Sequence, residues 1–268
     1  MITSRQNPLI KAAHRARRGR HRELLFLEGF RLIEDALRSP IRIEALLVSD
    51  RLESEPRARE LVARVSPGGT RCEIVRDEVL RSVSDVETSP GIIALASRPK
   101  WSVADVFGAS LPLVLILEGI RDPGNMGTIL RSAEALGATG LVVLKGTTDP
   151  FAPKVIRASM GSAVRLPLIE KIVLADAVML VRQAGLTLLA TSARASRLLT
   201  EVNLARPLAL LIGNEATGLS EAALQAADSA VRIPLVGPVE SLNAASAATI
   251  FLYEAARQRG FQPTSIGR

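Results

Sequence analysis

The chain is poor in the side chains that most enzymes use for covalent and metal chemistry. Its 268 residues include one cysteine, Cys72, and two histidines, His14 and His21, both among the first 22 positions. One cysteine excludes an intramolecular disulfide and a cysteine-rich zinc site, and it suits a reducing compartment, so a cytoplasmic protein is expected. The C-terminal part holds neither His nor Cys. A Ser-His-Asp triad, a Cys-His pair and a His-ligated zinc site are closed to it, and no metal is expected. Aromatic residues make only 3% of the chain, which argues against a platform that grips single strands by stacking. No Gly-x-Gly-x-x-Gly follows a strand-like run and no Gly-x-x-x-x-Gly-Lys-[Ser/Thr] occurs. A standard dinucleotide site and a P-loop are therefore unsupported. Hydrophobic residues reach 47%, yet the longest apolar run centres on Leu113–Leu117, far short of a membrane span, and no membrane partner is expected. After the basic start, Glu28 and Arg31 interrupt the run that follows Leu24, so no signal-type core forms. An organelle transit peptide is the alternative, opposed by Asn7-Pro8 and by the scarcity of serine.

What is present is a local charge and three polar motifs. The net charge is +7, and residues 1–22 hold seven basic side chains and no acid: Arg5, Lys11, Arg15, Arg17, Arg18, Arg20 and Arg22. Setting those seven aside leaves 27 basic against 27 acidic residues, so one segment supplies the whole excess. It reads either as a frayed, solvated terminus or as an arm that neutralises phosphates, for which forked guanidinium donors are well suited.

Apolar spacing predicts a helix over Leu24–Leu37, then a strand at Ile43–Val48, a helix at Arg57–Val65, a strand at Cys72–Val75, a helix at Glu78–Val83 and a strand at Ile92–Ala96. Arg98-Pro99-Lys100-Trp101-Ser102 breaks the pattern and marks a linker. Beyond it, Leu113–Leu117, Leu141–Leu144, Leu186–Ala190, Leu208–Ile212 and Val231–Leu235 read as buried parallel strands. Helices are predicted at Met126–Leu136, Pro153–Gly161, Leu174–Ala184, Glu221–Ala227 and Leu242–Arg259, the last with Ser241 as N-cap. The expectation is an α/β protein with a small domain at 1–97, which includes the basic arm 1–22, a linker at 98–110 and a parallel-sheet domain at 111–262.

Three segments place small and polar residues just after apolar runs, where α/β proteins carry their chemistry. They are Asn125-x-Gly127-x-x-x-Arg131, Gly213-Asn214-Glu215-x-x-Gly218, and Ile233-Pro234 running on to Ser241-Leu242-Asn243. One Arg, one Glu, a few Asn, a Ser and several glycines suit a reaction whose cofactor carries the hard chemistry. Methyl transfer from S-adenosylmethionine is one such reaction, permitted by this set of groups but not established by it.

Read at full length, Asn125-Met-Gly127-Thr-Ile-Leu-Arg131-Ser-Ala, Ile212-Gly-Asn-Glu-Ala-Thr-Gly-Leu-Ser220 and Ile233-Pro-Leu-Val-Gly-Pro-Val-Glu-Ser-Leu-Asn-Ala-Ala-Ser-Ala247 resemble the three motifs of the SpoU (TrmH-type) RNA 2′-O-ribose methyltransferases, in order and in spacing. Thr3-Ser4-x-x-Asn7-Pro8-x-Ile10-Lys11, Glu28-Gly29-x-Arg31 and Ser89-Pro90-Gly91-Ile92 resemble that family's substrate-binding domain. The resemblance implies an L30e-like N-terminal domain, a C-terminal domain with a deep trefoil knot, and a homodimer through the latter. It implies S-adenosyl-L-methionine as cofactor, held largely by main chain at Gly213, Ile233 and Leu242, with Thr191 a weaker candidate. Arg131 is the implied catalytic arginine. A guanidinium is a poor base, so its expected work is to hold the adjacent phosphate and stabilise the developing alkoxide. Asn125 would brace that loop and Glu215 would orient Arg131 or its neighbours. Ser241 and Asn243 would bond substrate or cofactor, with simple N-capping an alternative for Ser241. Arg5, Lys11, Arg15, Arg17, Arg18 and Arg157 are the expected RNA contacts. Leu136 before Gly137 and the pair Ala244-Ala245 depart from the family pattern in packing only. The expected partner is structured RNA, ribosomal ahead of transfer RNA. A non-catalytic RNA-binding scaffold and an RNA base methyltransferase remain alternatives.

Overall fold

A computed structural model of the chain describes residues 1–262. It divides into two compact units: Met1–Lys100 together with Phe151–Arg165, and Trp101–Pro150 together with Leu166 onward.

The first unit opens with helix α1, Pro8–Arg17. Pro8 pre-sets the first turn, and the Asn7 side chain accepts the Leu9 amide at 2.9 Å. Ile10, Ala13 and Ala16, three residues apart, are buried. The basic segment is thus neither a frayed terminus nor a loose arm, because one helical face is part of the core. The predicted helix over Leu24–Leu37 is also corrected. Leu24–Glu28 forms strand β1, and helix α2 starts only at Phe30–Ala36. Gly29 between them holds a φ of 97°, open to glycine and costly for other residues, and ends the strand with a turn. An apolar run of this length fits either period, and pairing with a distant strand decides it. There follow β2 (Ile43–Ser49), α3 (Pro56–Val65), β3 (Arg71–Val75), α4 (Asp77–Arg81) and β4 (Ile92–Ser97). The sheet order is β1-β4-β2-β3, antiparallel except for β2 with β3. Ile10, Phe26, Leu47, Leu80 and Ile93 meet in its core.

The segment read as a linker contains helix α5, Val103–Phe107, closed by a reciprocal Ser102–Asp105 capping box. Val106 and Phe107 are buried in the second unit's core, so this stretch is packed rather than spacer. The rest of the chain carries β5 (Leu113–Leu117), α6 (Pro123–Ala135), β6 (Gly140–Leu144), α7 (Pro153–Ala158), α8 (Ser162–Arg165), β7 (Leu168–Ile172), α9 (Leu174–Gln183), β8 (Thr187–Thr191), β9 (Arg197–Leu198), β10 (Leu208–Ile212), α10 (Glu221–Ala226), β11 (Ser229–Arg232) and α11 (Ala244–Gln258). Helices α7 and α8, placed by the sequence reading within 111–262, belong to the first unit.

Seven parallel strands form one sheet in the order β7-β6-β5-β10-β8-β11-β9. Every residue of β5, β6 and β10 is buried, which explains their unbroken apolar sequences. Each such Leu, Ile or Val contributes about 1.5–3 kcal/mol. Strands β7 and β9 escape sequence reading because one carries Glu170 and Lys171 and the other is two residues long. Strand β11 ends at Arg232, which leaves Ile233–Leu235 in a loop. Helix α11 begins at Ala244, and its N-cap is Asn243, whose Oδ1 accepts the Ala245 and Ser246 amides. The capping assignment to Ser241 is therefore corrected. No helix among the described residues is long and apolar enough to cross a membrane.

Candidate active site

The carboxyl ends of β8, β10 and β11 open onto a cleft of about 760 Å³. Ligands in open parallel sheets bind at such strand ends, where loops diverge. Thr191 leaves β8, Gly213 follows β10 and Ile233 follows β11, and all three line the cleft, as does Leu242. The four candidate cofactor residues therefore share one wall system, although they lie in separate stretches of chain.

The loop after β10 owes its shape to Asn214. Its main chain exchanges hydrogen bonds with Gly218 at 3.0 and 2.9 Å, and its Oδ1 accepts the Ala216 and Thr217 amides at 2.8 and 3.0 Å. Its Nδ2 donates to the Gly119 carbonyl at 2.6 Å. A Cβ on Gly213 would lie 2.4 Å from both Gly218 C and Leu219 N, so only glycine fits where the loop folds back on itself. The pair Gly213-Asn214 is itself a turn signal in the sequence.

Glu215 ties this loop to the start of α6. Its carboxylate accepts the Asn125 side-chain amide at 3.0 Å and the main-chain amides of Arg121 and Asp122 at 3.4 Å each. Burial pushes its pKa up, but the hydrogen bonds from Asn125 and from main-chain amides outweigh it and hold the group below its ordinary value. Asn125 sits one turn into α6, where Asp122 caps its main-chain N–H at 2.8 Å. Its Oδ1 accepts from Asn243 Nδ2 at 2.9 Å. One chain of hydrogen bonds, Asn243–Asn125–Glu215, thus joins the three motifs.

Arg131 is placed differently. It lies on the exposed face of α6, does not line the cleft, and makes no side-chain hydrogen bond or ion pair among the described residues. Among the described residues no hydrogen bond or ion pair joins Glu215 to Arg131; Glu215 instead holds Asn125, which shares a motif with Arg131. Ser241 is exposed and lines the cleft. Two further cations lie on its walls: Arg194, three residues past β8, and Arg232, the last residue of β11, which the sequence reading takes as part of an apolar strand.

The candidate RNA residues fall in the first unit. Arg5, Lys11, Arg15 and Arg18 are exposed. Arg17 is turned inward and donates to the Ser84 carbonyl at 2.6 Å, and Arg157 pairs with Asp85 at 2.8 Å. His14 reports the field of this helix: burial, then Arg17, Arg18 and Arg5, push its pKa below the ordinary value. Its buried Nδ1 has no hydrogen-bond partner among the described residues.

Residues 112–253 match the SpoU rRNA Methylase family, and residues 7–94 match the MRM3-like substrate binding domain. An uncharacterized tRNA/rRNA methyltransferase of Synechocystis sp. is 35% identical over 96% of this chain and 94% of its own length. The 23S rRNA (guanosine(2553)-2′-O)-methyltransferase RlmP of Bacillus subtilis is 31% identical over 85% of this chain and 86% of its own. The crystal structure of an AdoMet-bound rRNA methyltransferase from Sinorhizobium meliloti superposes with a TM-score of 0.85 at 30% identity, covering 96% of this chain and 97% of that one.

Proposed function

We propose, since this chain belongs to the SpoU rRNA methylase family, that it transfers a methyl group from S-adenosylmethionine to a ribose 2′-hydroxyl of structured ribosomal RNA. The observation that carries this reading is the cleft itself, walled by all four candidate cofactor residues and braced by the Asn243–Asn125–Glu215 chain.

The cleft suits a nucleoside cofactor. Ile212, Leu219, Leu242 and Phe251 supply apolar wall for an adenine. The main chain of 234–242 makes no hydrogen bond to other backbone among the described residues, so its amides and carbonyls beside the cleft are free to bind a ligand. The sulfonium supplies an electrophilic methyl carbon and a neutral thioether leaving group. Gly213, Ile233 and Leu242 would hold the cofactor, and Thr191 would close one side. Asn125, Glu215 and Asn243 fix the loops, so that alignment of the reacting atoms supplies much of the rate. Arg131 would hold the phosphate next to the target ribose and stabilise the developing alkoxide, with the hydroxyl proton relayed to that phosphate as the oxygen–methyl bond forms and the sulfur–methyl bond breaks.

Within one chain Arg131 stands apart from the cleft, and the reading assigns completion of the site to a homodimer of second units. Ile250 and Tyr253, 37% and 52% exposed on α11 beside α6, offer an apolar contact for it. The same reading gives the second unit a trefoil knot and the first an L30e-like fold. The first unit would capture RNA and the second would carry the chemistry, in the reducing cytoplasm that unpaired Cys72 tolerates. Ribosomal RNA is preferred to transfer RNA because the Bacillus relative is named for 23S rRNA.

The test is to incubate the protein with methyl-labelled cofactor and unmodified ribosomal RNA, then digest with alkali. Label in alkali-resistant dinucleotides is expected. Label in mononucleotides would transfer the assignment to a base. Absence of cofactor binding by calorimetry would favour a non-catalytic scaffold.

A further inference from the structure

The first unit holds two adjoining hollows of about 340 and 350 Å³ that share Glu28, Leu32 and Arg157. Neither belongs to the cofactor cleft. Phe26, Leu32, Val86, Pro90 and Pro153 give the first hollow mostly apolar walls, and Glu28, at the end of β1, is its acceptor. The carboxylate is held in place, since Oε1 accepts from Ser84 Oγ at 2.5 Å and Oε2 from the Asp85 amide at 2.9 Å. An ionised carboxylate has about four acceptor positions, so both oxygens keep capacity for a further donor. Around the second hollow, the Arg57 guanidinium covers the Phe30 ring at 4.9 Å while bonding Glu34 at 2.9 Å through two nitrogens. Arg31 lines the same hollow, is exposed, and has no side-chain partner among the described residues. Arg157 keeps 47% of its side chain exposed beside Asp85.

A flat ring with two adjacent donors fits apolar walls that end in two fixed acceptors. Among nucleobases the N1–H and N2–H₂ edge of guanine has that pattern; the other bases set an acceptor beside any donor on that edge. Cations at the rim suit the flanking phosphates. Unstacked bases read by edge and by ring face are how proteins recognise RNA sequence. We infer that this pair of hollows binds one splayed guanine of the RNA, its base against Glu28 and its neighbouring phosphates at Arg31 and Arg157. The inference rests on the reading that the first unit captures RNA.

Fluorescence anisotropy of the full chain with a uridine heptamer bearing one central guanosine, and with the same strand bearing inosine, tests it. Inosine lacks the N2 amine, and loss of one bond to a carboxylate should weaken binding about tenfold. Glu28→Gln should erase that preference. Because Glu28 also holds the 84–85 loop, Thr88→Phe, which fills the first hollow from an exposed position, should erase it too. Arg31→Ala should weaken both strands alike and preserve the ratio. Calorimetry with S-adenosylmethionine should be unchanged in all three variants. Equal binding of the two strands by the unaltered protein, or a preference that survives both Glu28→Gln and Thr88→Phe, overturns the guanine site and leaves RNA capture standing. Failure to bind either strand overturns the guanine site, and failure to bind unmodified ribosomal RNA as well overturns RNA capture with it.

Discussion

Removing Glu215 should loosen the second unit while leaving its sheet intact. The carboxylate accepts one hydrogen bond of good length, from Asn125 at 3.0 Å, and two long ones at 3.4 Å. A bond to a charged acceptor contributes about 1.5–3 kcal/mol, the long pair adds little, and partial exposure lets water replace some of it. Glu215→Ala should therefore cost about 2 kcal/mol. Trp101, the only tryptophan, lies in the same unit and reports its urea unfolding by fluorescence. Asn125→Ala and the double variant complete a cycle, with an expected coupling of about 1 kcal/mol. The pH dependence has a definite sign. Glu215 titrates below its ordinary value of 4.5 in the folded chain, so its contribution is present above that pH and is lost as pH falls through the folded value. The gap between the unaltered protein and Glu215→Ala should accordingly narrow on acidification below about pH 4.5. A cost under about 0.5 kcal/mol at neutral pH, with additive single variants, would refute the brace.

Three further outcomes are expected. Arg131→Ala should leave cofactor binding by calorimetry nearly unchanged while methyl transfer collapses by more than a hundredfold, on the order of other lost charge-stabilising donors; near-normal turnover would remove its assigned role. Gly213→Ala forces a Cβ to 2.4 Å from the 218–219 backbone, so the loop must shift, and both unfolding midpoint and cofactor affinity should fall. An unchanged affinity would separate the loop from the cofactor. Replacing exposed Arg5, Lys11, Arg15 and Arg18 by Gln spares the buried face of α1, which deletion of residues 1–22 would destroy. RNA affinity should drop, and the slope of log K against log salt should flatten by about 3 if all four meet phosphate; an unchanged slope would return these side chains to solvent.

The three motifs were legible in sequence because loops at strand ends need few, distinctive residue types, such as Gly213 where two stretches of backbone approach closely; the turn bonds made by Asn214 and the helix start made by Asn243 emerged only from the fold. Strands β5, β6 and β10 were legible because burial on both faces demands an unbroken apolar run. What misled was ambiguity of period and of context. Leu24–Leu27 fits a helix until β4 pairs with it, and the basic charge of residues 11–18 hides the apolar stripe of Ile10, Ala13 and Ala16. Strand β9 has no sequence signal at two residues, and the capping role passed from Ser241 to Asn243 because the loop after β11 runs longer than its apolar residues imply.

Local chemistry, then, was set by the sequence alone: the lack of histidine and cysteine in the C-terminal part, the glycines, the carboxylate of Glu215 and the guanidinium of Arg131. Which of these meet was decided only by the fold. Asn125, Glu215 and Asn243 are separated by 90 and 118 positions yet bond in series, because insertion of β10 between β5 and β8 brings their loops to one end of the sheet. Arg131, six residues from Asn125, faces away because helical geometry turns it to another side.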